Sequence, residues 1–373
     1  MIYLDNAATT REKPEIVKQS FMNYINDIGA SPGRGSYSLG ITASRMLFES
    51  RKTIGDYFGL ERRSNVIFTK NSTEAINLFF NGFLNNGDHV VITCYEHNAV
   101  LRPLHSLKDK GVIDYSIISR ADLELPVDKI WSKYFRPNTK VFATTLASNL
   151  TGRIVFRKDL LEFCKNKGVN TFVDSSQGAG KLDISMNKMH IDYLAFTSHK
   201  DLLGLPGSGG LCCTEYESLR PLIQGGTGVH GEDYKNPKIF PEGYEAGTLN
   251  MPSIWALKNA IDYINENKNY IRRKEKELTE YLMDQLLQLN NIVIYDVSYE
   301  RVGTIAFNVY GYSSNEVVRK LDSGGICVRG GIHCAILAHE SLQTVKIGAV
   351  RASINYSNSY DDIDQFIECL RGL

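Results

Sequence analysis

Six short apolar runs, at residues 65–69, 89–94, 114–118, 140–147, 171–175 and 191–198, alternate with polar and helix-forming segments, and that alternation restricts the fold more than any other feature of the chain. Short apolar runs bounded by turn residues read as strands, and strands that alternate with helices predict an α/β fold around a mainly parallel sheet. Helical segments fall between several of the runs, at 72–83 and 157–166. Ahead of them, Thr42 is read as the cap of a helix whose Ala43, Leu47, Ile54 and Phe58 lie on one face, with Gly59 stopping it.

The pattern changes after residue 251. The stretch 252–289 has few breakers and is predicted to be helical; strands follow at 292–295 and 304–309, helices at 315–321 and 360–370, and further strands near Ile326 and Arg351. These elements form a smaller α+β carboxy-terminal domain. The chain therefore divides into a segment 1–15 expected to pack with the small domain, a large domain 16–255 and a small domain 256–373.

Charge excludes some functions. Lys plus Arg and Asp plus Glu are both 42, so no basic surplus points to nucleic acid or an anionic membrane, and a small neutral or zwitterionic substrate suits the balance. No apolar run is long enough to cross a bilayer, and MIYLDNAATT has neither a basic stretch nor a long apolar one; the expectation is a cytoplasmic protein. Seven cysteines without paired CxxC spacing argue against a disulfide framework or a zinc site, so no metal is expected.

The segment FTSHKDLLGLPGSGGL ends a strand in polar residues, presents Lys200 and then turns glycine-rich, which places that lysine in a crevice at a strand's carboxyl end. An amine there, with its proton affinity lowered by its surroundings, can form a Schiff base with a carbonyl cofactor. Taken alone, a solvated surface lysine is the commoner outcome. Upstream, TFVDSSQGAG puts Asp174 at another strand end, where a carboxylate can keep a pyridine nitrogen protonated, and Gln177 three residues on can donate to a ring hydroxyl. A helix cap or turn former explains Asp174 equally well.

In FTKNSTEAIN, Asn71, Ser72 and Thr73 open a helix whose free amides and hydroxyls can receive a phosphate, or can simply cap it with Glu74 in the first turn. His97 in CYEHNAV can stack on a flat ring. Late in the chain, VRGGIHCAILAHE places Cys334 beside His333 in a polar, flexible stretch where a thiol can be reactive. Arg329 and Arg351 nearby supply guanidinium groups that bind carboxylates bidentately. Cys212, Cys213 and Cys327 lie in apolar runs and read as core.

Taken together, YLDNAATT, TEAIN, EHNAV, VDSSQ, TSHK, YEAGTLN and RASINY resemble the motifs of the cysteine desulfurase and selenocysteine lyase family, in the class V aminotransferase branch of fold-type I pyridoxal-phosphate enzymes, and the likeness runs nearly end to end. The resemblance implies pyridoxal 5'-phosphate as cofactor, Lys200 as its Schiff-base lysine, Asp174 and Gln177 as partners of the pyridine nitrogen and phenolate, and His97 as the stacking imidazole. It assigns phosphate contacts to Thr73, Thr197 and His199, and a further one to Thr248 of a neighbouring subunit, hence a homodimer with shared active sites. Asn149 and Arg351 correspond to residues that hold the substrate carboxylate, and Arg329 and Cys334 to the substrate-side arginine and the sulfur-accepting cysteine, in the short RxGxxC form of the SufS-like group.

The implied reaction converts L-cysteine to L-alanine and leaves the sulfur as a persulfide on Cys334, with His333 as proton donor or thiolate stabiliser and a sulfur-acceptor protein as a later partner. Selenocysteine lysis, another C–S lyase activity and transamination are alternatives; a non-catalytic scaffold in sulfur trafficking has no need of Lys200, Asp174 and Cys334 together. Three departures fall around the substrate: Ile332 and Gly33 stand where histidines are common, and no helical extension precedes the first motif.

Overall fold

A two-residue strand, Ile2–Tyr3 (β1), precedes a seven-stranded sheet built from Val66–Thr69 (β2), Asp88–Thr93 (β3), Ile113–Ile118 (β4), Thr139–Thr145 (β5), Asn170–Asp174 (β6), Tyr193–Thr197 (β7) and Gly209–Cys213 (β8). The computed structural model describes residues 1–33 and 35–373. Across the sheet the strands run β2-β8-β7-β6-β5-β3-β4, parallel throughout except where β8 pairs with its two neighbours. The mainly parallel α/β sheet expected from the sequence is therefore present, with β8, the strand of Cys212 and Cys213, as its one antiparallel member.

Both faces of this sheet are covered, which is why its strands carry few polar residues. Val91, Phe142, Leu194 and Phe196 enter one core, while Val90, Ile92, Val141, Ala143, Tyr193 and Ala195 enter another on the opposite face. Among the buried polar strand residues is His89, whose imidazole nitrogens bond to Thr139 at 2.8 Å and Ser116 at 2.9 Å.

The helix ahead of the sheet, Ser38–Tyr57, begins earlier than Thr42. Thr42 lies inside it and its hydroxyl donates to the Ser38 carbonyl at 2.9 Å, a local bond available to threonine within a helix as well as at its start. Gly59 does end the helix, at φ +64°, a conformation cheap only for glycine. The helices Asn98–Asp109 and Val127–Tyr134 were not distinguished in the sequence, and the first contains Pro103.

A 37-residue helix, Met251–Leu287, leads into the C-terminal domain, with the Asn250 side chain accepting from the Ser253 amide and Pro252 in its first turn. Its first half, from Met251 to Ile271, buries into the core on one face of the large sheet, whereas Leu278, Leu282 and Leu286 enter a third core. Ile292–Ile294 (β9), Thr304–Val309 (β10), Ile326–Cys327 (β11) and Ala349–Ser353 (β13) contribute to that core, and Arg329–Gly331 (β12) lies beside β13. Four of these form an antiparallel sheet in the order β12-β13-β10-β9, and β11 pairs in parallel with β1, so the first residues are stitched to the last domain. Among the described residues, no helix is long and apolar enough to cross a membrane.

The irregular segment before the long helix is held by one buried ion pair. Arg51 on Ser38–Tyr57 meets both oxygens of Glu245, with Nη1 to Oε1 at 2.7 Å, and also donates to the Val66 carbonyl; Glu245 Oε1 accepts the Phe68 amide at 2.6 Å. Removing one partner of such a pair leaves an uncompensated buried charge. Arg51→Met is therefore expected to lower the unfolding free energy by about 3–5 kcal/mol, read as a fall in the chemical-denaturation midpoint.

Candidate active site

The carboxyl ends of β2, β3, β5, β6 and β7 meet at one edge of the large sheet, where an open α/β sheet has its crevice. Each delivers a polar group there: Ser72 and Thr73 just beyond β2, His97 beyond β3, Asn149 beyond β5, Asp174 as the last residue of β6 and Lys200 just beyond β7. Ser72, Thr73, His97, Asp174, Gln177, Thr197, His199 and Lys200 all line a single cleft.

The electrostatics of the cleft follow from burial. Burial pushes the Lys200 ammonium toward its free amine, and Asp174 opposes that shift. His97 accepts the Ala99 amide on Nδ1 at 3.0 Å, which assigns its proton to Nε2, and burial followed by the nearby Lys200 lowers its pKa to about 4; the ring is neutral. Asp174 Oδ1 accepts the Ser176 amide at 2.9 Å and faces the Ser72 hydroxyl at 3.4 Å. Asn71 caps the helix Ser72–Phe83 by accepting the Glu74 amide at 3.0 Å, so the first turn of that helix opens on the cleft.

Two buried polar atoms at the cleft have no partner among the described residues: Gln177 Oε1 and Thr197 Oγ1. Gln177 Nε2 donates to the Ala7 carbonyl at 2.8 Å, which fixes the amide and leaves Oε1 as the acceptor available at the cleft. Unsatisfied groups of this kind call for a polar occupant. A flat ring with a hydroxyl, a basic nitrogen, a carbonyl and a phosphate fits what the cleft offers: an amine, a carboxylate, a neutral imidazole, hydroxyls and a helix start.

The carboxylate-binding candidates form a second group beside it. Arg351 is fully buried; its Nη2 contacts Asp5 Oδ1 at 2.6 Å, Nη1 donates to the Asn149 carbonyl at 2.9 Å, and Nε has no partner. Asn149 in turn donates from Nδ2 to the His333 carbonyl at 2.7 Å. The next carbonyl, that of Cys334, accepts the Asn98 amide at 2.8 Å. Arg329 pairs with Arg351 across the β12–β13 ladder, which places both side chains on one face of that sheet, Arg329 exposed and Arg351 buried.

Cys334 is exposed and His333 buried, both at positive φ of 55° and 53°, where non-glycine residues are rare. His333 Nε2 bonds to the Ala349 carbonyl at 2.9 Å, and burial, followed by Arg351, lowers its pKa to about 3. The ring is held in its neutral form, and its one N–H is committed to the backbone. Gly33 sits at φ +72°, so a histidine at that position would be strained.

Thr248 is exposed and does not border the cleft of its own chain; it borders two cavities walled by Arg51 and Phe48 on one side and by Leu222 and Ile223 on the other. The residues overlooked in the sequence belong mostly to the first motif. The His199 carbonyl accepts from the Thr10 amide, the hydroxyls of Thr9 and Thr10, and Lys13 Nζ, and the Thr10 hydroxyl also reaches the Lys200 carbonyl at 3.0 Å. YLDNAATT was thus a visible signal whose individual roles only the tertiary contacts supply.

Fold and site define a fold-type I enzyme that uses pyridoxal 5'-phosphate. The family profile described as aminotransferase class-V matches residues 2–366. The chain is 32% identical to a probable cysteine desulfurase of Methanothermobacter thermautotrophicus, over 99% of this chain and 94% of that one, and 30% identical to a cysteine desulfurase of Yersinia pestis, over 100% and 93%. A solved apo cysteine desulfurase from Thermococcus onnurineus superposes with a TM-score of 0.90 at 31% identity, covering 100% of this chain and 95% of the other. The chain belongs to the class-V aminotransferase family and, within it, to the cysteine desulfurases.

Glu96, beside His97, is a buried carboxyl that no sequence signal singled out. Its Oε1 accepts the Thr93 hydroxyl at 2.6 Å and the Thr145 amide at 3.0 Å, Oε2 has no partner, and burial raises its pKa from 4.5 to about 8. Between these two values the unfolded chain has lost this proton and the folded one keeps it, so the stabilisation present below pH 4.5 is lost as pH rises toward about 8. Glu96→Gln, which mimics the protonated acid, is expected to remove that decline, seen as a flatter plot of denaturation midpoint against pH.

Proposed function

We propose that the protein takes sulfur from L-cysteine, leaving L-alanine, and carries it away as a persulfide on Cys334. The observation that carries this reading is an exposed thiol tied through its own backbone and through His333 to Asn98 and Asn149, next to the cleft of Lys200. Lys200 bears the cofactor; Asp174 faces the ring nitrogen, Gln177 the ring hydroxyl and His97 the ring face. Ser72, Thr73, Thr197 and His199 take the phosphate, and Thr248 of a second copy completes it. Arg351, Arg329 and Asn149 hold the substrate carboxylate.

When bound, pyridoxal 5'-phosphate supplies an electron sink for the Cα of the amino acid. Lys200, favoured as a free amine by burial, removes the Cα proton on Nζ. The Cys334 thiolate attacks the substrate sulfur; an S–S bond forms, the Cβ–S bond breaks, and the electron pair stays with the carbon fragment, which gains protons to become alanine. His333 orients the Cys334 loop through Ala349 instead of donating a proton.

The reading includes a homodimer, supported by the exposed apolar residues Phe48, Leu222 and Ile223 on the walls around Thr248. It includes a cytoplasmic setting, supported by seven free cysteines, and a thiol-bearing acceptor for the sulfur. It also keeps the division into 1–15, 16–255 and 256–373, supported by the pairing of β1 with β11 and by the separate third core.

Purified, cofactor-loaded protein is expected to release alanine and, under reductant, sulfide in equal amounts from L-cysteine. In Cys334→Ala both products fall to background while the visible cofactor band persists; in Lys200→Ala that band is lost and turnover falls about 10²–10⁴-fold or further. Normal sulfide release by Cys334→Ala would overturn the persulfide route.

A further inference from the structure

Asp201, the residue after Lys200, belongs to a buried ion cluster that the chemistry above does not use. Lys181 Nζ lies 3.1 Å from Asp201 Oδ1 and 2.6 Å from Glu275 Oε1, and 3.5 Å from the Ile354 carbonyl. The three side chains are 10%, 1% and 7% exposed. Each comes from a different part of the fold: Lys181 from the loop of Gln177, Asp201 from the turn of Lys200, and Glu275 from the long helix where it passes toward the C-terminal domain. Ile354 directly follows β13, the strand of Arg351.

The backbone is equally tight at this joint. Gly178, next to Gln177, donates its amide to Asp201 Oδ2 at 3.3 Å. Gly180 sits at φ +99°, and a Cβ there would lie 2.1 Å from the Asp201 carbonyl oxygen. A Cβ on Gly303 would meet the Ile354 carbonyl at 2.7 Å and Glu275 Oε1 at 2.9 Å. A buried ammonium shared by two carboxylates is a weak source of net stability, because desolvation offsets the attraction, but it dictates one arrangement of the segments that carry it.

We propose that Lys181 is a positioning residue which, through Asp201 and Glu275, locks the Gln177 loop, the Lys200 turn and the end of the Arg351 strand together and balances the Asp201 charge next to Lys200. This rests on Lys200 as the cofactor lysine. The charges that act on Lys200 are Asp174, Arg351, Asp201 and Arg329, with His97 and His199 beside it; Lys13 faces Asp201 from the amino-terminal segment. Asp201 favours the protonated nitrogen of Lys200, and Lys181 damps that effect. Removing Asp201's charge and removing Lys181 therefore act in opposite directions.

The test titrates the visible cofactor band against pH in the parent holoenzyme, Asp201→Asn and Lys181→Met, with kcat and KM for L-cysteine measured alongside. The midpoint is expected to move to lower pH in Asp201→Asn and to higher pH in Lys181→Met, and kcat to fall about 10-fold or more in both with KM changed far less. If Lys181→Met does not fold, Lys181→Met/Glu275→Gln preserves the cluster's net charge and is expected to shift the midpoint upward as well. Midpoints and kcat equal to the parent's, whatever the change in melting temperature, would reduce the cluster to a structural role and overturn the proposal. A parent without a visible band would instead overturn the assignment of Lys200.

Discussion

A parallel sheet covered on both faces leaves polar chemistry only one place to go. Along β3, β5 and β7 alternate residues are claimed by opposite cores, so a charged side chain in mid-strand would have to be buried without a partner. Charge is tolerated where the strands end, and six of the seven large-sheet strands, all but β8, end on the same edge. The cleft's character follows: its groups are desolvated from below by the cores, which favours the free amine of Lys200 and the neutral form of His97.

The second constraint is that the substrate side of the cleft is built from remote stretches of chain. Asp5 and Asn149 both bond to Arg351, Asn98 and Asn149 hold the Cys334 loop, and Thr9 and Thr10 bind the His199 carbonyl. The Cys334 loop and the Lys200 turn are thus each held at backbone carbonyls, by the Asn149 amide and the Asn98 N–H in the one case and by Thr9 and Thr10 in the other. Left-handed backbone at both His333 and Cys334 serves the same end, since a strained turn persists only when its surroundings determine it.

Much of this was legible in the residues, and the limits have physical causes. Strands covered on both faces are continuous apolar runs, so the large sheet could be read directly, as could the long helix and the strands of Ile326 and Arg351. The start of the helix Ser38–Tyr57 was misplaced because a threonine hydroxyl bonds to a carbonyl four residues back as readily as it caps. Pro103, midway along Asn98–Asp109, disguised that helix, because a proline inside a helix removes a backbone hydrogen bond and reads as a breaker. Lys200 and Asp174 each had an ordinary explanation, and only the joint likeness of Lys200, Asp174, Gln177 and His97 to a known set of motifs joined them; the structure then puts all four on one cleft. Local pattern could not show that Lys181 meets Asp201 and Glu275, or that His333 spends its N–H on Ala349, because those contacts depend on how distant elements pack.

The pairing of β1 with β11, and of Asp5 with Arg351, reaches across nearly the whole polypeptide; the latter contact spans 346 residues. A ribosome delivers the amino-terminal partner first and must then translate almost everything else before its mate appears. During that interval the large sheet can form, since its strand contacts are closer in sequence, but the Cys334 loop and the clasp of Arg351 on Asp5 are both still missing. Contacts of such long range are slow to close. A nascent chain therefore holds its first residues without their mates, and the two remote portions of the chain are joined only once β13 has emerged.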